Sequence, residues 1–153
     1  MRRAALTALL CAASACNDRG AAPDDAAPVA RVTGPAPLAT RGRIHTVRML
    51  MDNEGFRFDP SYITVDAGDG VRFLMVSGVP HNVAFDARFI PRASRPQLVA
   101  NIRALGGRDL ASPVVTAIDS TFVVSTSGLP AGDYLFYCGP HRSLNMHGVL
   151  TIR

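Results

Sequence analysis

Between Tyr134 and Gly148 the chain reads Tyr-Leu-Phe-Tyr-Cys-Gly-Pro-His-Arg-Ser-Leu-Asn-Met-His-Gly, which sets Cys138, His141 and Met146 in a Cys-x2-His-x4-Met spacing. Thiolate, imidazole and thioether are all metal donors, and a strand that ends at Cys138 and turns through Gly139-Pro140 can bring them to one point from a single short loop. A fourth donor has to come from elsewhere. His81, in Val79-Pro80-His81-Asn82-Val83, opens a strand after its own turn, and a two-sheet sandwich can place that strand end beside the Cys138 loop. Two imidazoles and a thiolate with a long axial thioether are the donor set of a mononuclear copper centre that passes single electrons, because soft sulfur suits Cu(I) and imidazole suits both oxidation states. Zinc is the competing metal, but structural zinc favours four strong Cys or His ligands and a thioether is a poor one. Taken singly, His81 reads as a satisfied polar residue and Met146 as core; the shared spacing is what turns them into ligands. His45, in mid-strand, and His147, pointing away from its neighbour Met146, are read as non-ligands.

The elements that must position these residues are short strands. From Ile44 onward, alternating runs separated by turn residues occupy Ile44 to Met51, Tyr62 to Val65, Val71 to Val76, Asn82 to Phe85, Thr121 to Thr126, Tyr134 to Cys138 and Val149 to Arg153. Turns fall at 52–55, 67–70 and 128–133. Seven or eight such strands predict an all-β Greek-key sandwich, a reading that 13 glycines, 11 prolines and the absence of Trp support. Alternation turns Tyr137 away from the Cys138 face, as a packing residue with an exposed edge. Residues 87–113 break the rhythm: Pro91, Pro96 and Pro113 bracket Gln97 to Leu105, where the spacing of Leu98, Ile102 and Leu105 predicts a short helix on the sandwich flank. Arg88, Arg92, Arg95, Arg103 and Arg108 in this excursion read first as a solvated face.

The N-terminus fixes the compartment. Residues 1–15 combine Arg2 and Arg3, an apolar stretch and Ala13-Ser14-Ala15, the pattern of a secretory signal whose apolar core is too short to span a bilayer. Cys16 follows a small residue and is a candidate lipid attachment site. Residues 16–43, rich in Ala, Pro, Gly and Asp, have no hydrophobic period and read as a flexible tether; as a coil they would span about 30 Å. Residues 44–153 then form one domain. Only Cys138 lies inside it, so the domain holds no disulfide and its one thiol is available for metal. All 16 basic residues are Arg, and the net charge of +4 would raise nucleic-acid binding in an intracellular chain. Export argues against that reading.

At these residues the sequence resembles the plastocyanins, small type 1 (blue) copper proteins of the cupredoxin class. The resemblance covers residues 44–153. It is densest in Gly78 to Asp86, Tyr134 to Met146 and Gly148 to Ile152, with Gly68-Asp69 before Val71 and Phe73 resembling the turn into a core strand. It implies that His81, Cys138, His141 and Met146 bind one copper ion, and that Asn82 and Pro140 brace the ligand loop from behind. It further implies that His141 emerges at an apolar docking surface of Gly78, Val79, Pro80, Pro140 and Leu144. The chain departs from the family pattern at Asn145, where Gly is usual, at Arg142, a charge beside His141, and at His147. No acidic cluster like that of the plant proteins is present, so a photosynthetic partner is not implied. The reading is therefore of a monomeric, exported electron carrier and not an enzyme, working on the outer face of a bacterial membrane or in its periplasm. It would exchange electrons with redox proteins, acidic ones if Arg142 and the excursion arginines steer. The alternative is a copper chaperone or scavenger with the same ligands.

Overall fold

A computed structural model of the chain describes residues 34–153. The expected signal at residues 1–15 and the candidate lipid site Cys16 lie outside the described residues. Eight strands form two four-stranded sheets. They are β1 (Ile44–Asp52), β2 (Gly55–Asp59), β3 (Tyr62–Val65), β4 (Gly70–Met75), β5 (Ala84–Phe85), β6 (Thr121–Ser125), β7 (Gly132–Tyr137) and β8 (His147–Ile152). One sheet runs β2-β1-β4-β6 and the other β3-β8-β7-β5, with β1–β4 and β3–β8 parallel and the remaining pairs antiparallel. Parallel neighbours need crossovers, and here the chain makes them by changing sheet at each step from β2 to β7, which gives the Greek-key sandwich.

The period-2 pattern places Val47 and Met49 of β1 and Val71, Phe73 and Met75 of β4 inward, facing Tyr134 and Phe136 of β7 and Leu150 and Ile152 of β8. With no Trp available, Phe136 takes the centre. Its ring lies edge-on to Phe58, Phe73 and Phe85 at centroid distances of 4.8, 5.5 and 6.1 Å. Packing there is close enough to require glycine at 148, where a Cβ would stand 2.5 Å from Phe136 Cζ. The buried Tyr134 satisfies its hydroxyl by donating to the Pro130 carbonyl (2.7 Å).

Sequence reading left one strand unassigned. Gly55, at φ 96°, closes a tight turn, and Phe56-Arg57-Phe58 returns along β1 as β2. The predicted helix is present as α1 (Arg95–Arg103), starting two residues before the expected Gln97, because Pro96 fits the first turn, where its missing N–H costs nothing. Leu98 and Ile102 are fully buried, so the excursion completes the core as well as covering it.

Residues 36–43, within the segment read as a tether, lie along the domain. The buried Asn101 of α1 accepts from the Leu38 N–H (2.9 Å) and donates to the Ser125 and Ser127 carbonyls. Ser127 Oγ donates to Ala39 O, and the Arg41 and Gly42 amides donate to Gly68 O. Asp69 accepts from Arg43 N–H and pairs with His45 at 2.7 Å. These contacts sit at the Gly70 end of β4, whereas the chain leaving Met75 leads to Ser77 and His81 at the opposite pole.

Candidate metal centre

At that opposite pole four backbone features converge. Ser77 grips β1 by accepting from Met51 N–H (3.0 Å) and donating to Met51 O (2.9 Å). Gly78 follows at φ 75°, and a Cβ there would lie 2.5 Å from Met51 Cβ and 2.9 Å from Phe56 Cε1, so only glycine lets the turn approach so closely. His81 then exchanges both backbone hydrogen bonds with Val115, on the return limb of the excursion. Ala84 pairs with Tyr137, which draws this limb beside the end of β7, where Cys138 begins the second loop.

That loop closes on itself. Cys138 N–H donates to Met146 O (3.0 Å), and the Met146 and Leu144 amides donate to His141 O. Asn145 occupies the left-handed region at φ 63°, which explains how Asn stands where the related pattern has Gly, since Asn is among the residues that tolerate it. The Gly139 N–H donates to Asn82 Oδ1 at 2.7 Å, which ties the start of the loop to the chain after His81.

Three donor atoms meet inside this frame. Cys138 Sγ lies 3.5 Å from His81 Nδ1 and 3.5 Å from His141 Nδ1, and the two Nδ1 atoms are 3.2 Å apart. The point equidistant from all three is about 2.0 Å from each, the length of a metal–imidazole bond and slightly short of the about 2.3 Å of a metal–thiolate bond. The other ring nitrogen of His81 donates to the Ser77 carbonyl (2.8 Å), fixing the tautomer that leaves Nδ1 as a lone-pair donor. Burial pushes both imidazoles below their ordinary pKa, with the neighbouring His81 adding to the effect at His141, and it pushes the Cys138 thiol up. Neutral imidazoles are the ligand form a soft metal needs, and binding of the cation would displace the Cys138 proton to solvent, leaving the thiolate as donor. Met146 is buried in the same core, 1% exposed. His45 stands at the far pole with Asp69, and His147 is exposed on β8.

Around the donors, His141 is the one that approaches the surface, 7% exposed where His81 and Cys138 show none. Val79, Pro80, Pro140 and Leu144 are exposed around the same loops, and Gly78 is half-buried. Arg142 is exposed but not free: its guanidinium lies 4.2 Å from the Tyr137 ring centroid and 3.3 Å from Asp86. Tyr137 is half-buried beneath it. One contributor went unread in the sequence. Phe56 of β2 stacks on His141, with centroids 3.8 Å apart and planes at 17°, and meets His81 edge-on at 6.1 Å. The Gly55 turn followed by alternating Phe56 and Phe58 was the available signal for that strand; the stack itself is a tertiary contact.

Comparison with known proteins agrees with this geometry. The family described as copper binding proteins of the plastocyanin/azurin group matches residues 45–153. A plastocyanin from the fern Dryopteris crassirhizoma is 38% identical over 98 residues, covering 64% of this chain and 89% of its own. One from Scenedesmus fuscus is 30% identical over 108 residues, covering 71% and 98%. The solved oxidised fern plastocyanin superposes with a TM-score of 0.52 at 31% identity, over 71% of this chain and all of that one. The sandwich and its buried Cys-His-His cluster are those of a cupredoxin. The chain belongs to the plastocyanin/azurin family of copper-binding electron-transfer proteins.

Proposed function

We propose that this protein is an exported type 1 copper carrier that moves one electron at a time between redox proteins, with His81, Cys138 and His141 as equatorial ligands and Met146 as the axial one. The observation that carries the proposal is the meeting of Cys138 Sγ and two Nδ1 atoms within 3.5 Å of one another in a water-excluding frame. Copper, when bound, supplies the one-electron couple; the chain supplies donors fixed before the metal arrives. Asn82, Ser77 and the loop's own hydrogen bonds hold them, so little needs to move when the oxidation state changes. His141 lies nearest the surface, and the exposed Val79, Pro80, Pro140 and Leu144 offer a partner an apolar seat around it. Enzymatic copper chemistry with a second multi-His centre is not supported, because the chain has four His and the proposed site uses two.

Residues 1–15 are proposed to direct export, Cys16 to carry a lipid, and the segment before residue 36 to link it to the monomeric copper domain of residues 44–153, along which residues 36–43 pack. The test of the carrier reading is repeated chemical reduction and reoxidation in the presence of an external Cu(I) chelator. A carrier keeps its copper through every cycle. Loss of copper on each reduction would mark a protein that delivers metal.

Charge bears on partner choice. Arg142 and Arg88 both pair with Asp86, whose carboxyl the Arg88 guanidinium, helped by Arg142, holds down to about 2. Two cations on one anion leave a net positive flank near His141, and an acidic partner is the proposed fit. Its electron-transfer rate should fall as salt rises, the Debye length shrinking from about 10 Å at 0.1 M to about 3 Å at 1 M. Arg142→Glu should slow the reaction at low salt and lose most of its effect at high salt. A rate indifferent to both leaves the apolar seat as the sole docking determinant.

A further inference from the structure

We propose that Arg142 is also a positioning residue, clamping the ligand loop onto the end of β7 through Tyr137 and Asp86; the proposal rests on the ligand assignment above. The hydrogen bonds from Cys138 to Met146 and from Met146 and Leu144 to His141 are internal to the loop. They give it shape but do not fix it to the domain. At its Cys138 side the loop is fixed by Asn82. Phe56 stacks on His141 itself, and beyond His141 the side chain that ties the loop to the domain is Arg142, laid over Tyr137 and bonded to Asp86.

Asp86 is a firm anchor. It is buried, its N–H donates to Leu135 O (2.9 Å), and its carboxylate accepts from Arg88 Nε and Nη2 at 3.0 and 2.8 Å and from Arg88 N–H at 3.0 Å. Asn82 and Asp86 stand on either side of the two-residue strand β5, which pairs with β7 at Ala84–Tyr137 and Phe85–Phe136. That short strand therefore carries both braces of the loop, one for Gly139 and one for Arg142. The Arg142 contact needs a planar cation, because a guanidinium can stack on the ring face while its edge meets the carboxylate, and a lysine ammonium cannot do both.

The experiment separates this role from a charge effect. Arg142→Lys keeps the charge, Arg142→Met keeps the stem, and Asp86→Asn weakens the anchor. Amide hydrogen exchange is followed in the metal-free protein and copper loss to a chelator in the loaded one. All three variants should exchange the Leu144 and Met146 amides about fivefold faster than wild type, the effect of losing one stacked, partly exposed ion pair. Copper should also leave faster in all three, while the core amides of Phe136 and Leu150 stay unchanged. Wild-type exchange in Arg142→Lys would overturn the clamp in favour of charge alone, and wild-type exchange in all three would show that the contact holds nothing. Failure of the wild-type protein to bind copper would overturn the ligand assignment instead, with the metal-free exchange still reporting on the clamp.

Discussion

Cys138→Ser is expected to remove essentially all of the blue absorption of the Cu(II) protein and to weaken copper binding. The colour comes from charge transfer between a short-bonded thiolate and Cu(II), and among the described residues Cys138 is the one free cysteine. A serine hydroxyl is a harder, less basic donor and has no low-lying sulfur orbitals. Met146→Leu provides the contrast. A weak axial thioether tunes the metal more than it holds it, so this variant should stay blue while its reduction potential rises, the leucine offering Cu(II) no donor. Absorption spectra and potentiometry of the two variants check the assignment. Equal loss of copper in both, or a blue Cys138→Ser protein, would contradict the roles given to these residues.

The donor set was legible in the sequence because three of its members share one loop, where spacing alone constrains geometry. His81 was legible through its Pro80 and Asn82 neighbours, and the structure brings its Nδ1 to Cys138 and His141. What supports the donors was less visible. Phe56 lies on a strand that a turn reading of residues 52–55 left unassigned, and its stack on His141 arises only when β2 folds back along β1. Arg142 reads locally as a surface charge; its fixation depends on Asp86, which arrives from the far side of the sequence by way of β5. Residues 36–43 look like linker because they continue a stretch of small residues and Pro with no hydrophobic period. Their anchors are backbone amides and carbonyls, which composition does not encode, and the side chains that bind them, Asn101, Ser127 and Asp69, are distant in sequence.

Phe136→Ala is expected to cost about 3–5 kcal/mol of stability in the metal-free domain, the range for removing a fully buried aromatic ring. Phe136 has no solvent exposure and packs edge-on against rings from both sheets, so its loss opens a cavity that Phe58, Phe73 and Phe85 can fill only by leaving their strand positions. For a domain whose total stability is about 5–15 kcal/mol, that is a large fraction. Urea unfolding of the metal-free variant measures it, with the slope of the transition showing whether the native state stays compact. A loss under about 1 kcal/mol would mean that the aromatic cluster is not the centre of the core. The effect should extend to the metal, because β7 runs directly from Phe136 through Tyr137 to Cys138, and a softened strand end presents the thiolate less firmly.

The central claim is that His81, Cys138, His141 and Met146 form one type 1 copper site. The most direct test is to titrate the purified metal-free protein with Cu(II) while recording its visible and electron paramagnetic resonance spectra. The account predicts an intense blue band that saturates at one copper per chain, with the narrow copper hyperfine splitting that a covalent thiolate bond produces. A colourless or pale complex with Cys138 intact and reduced, or a band that saturates at any other stoichiometry, would contradict it.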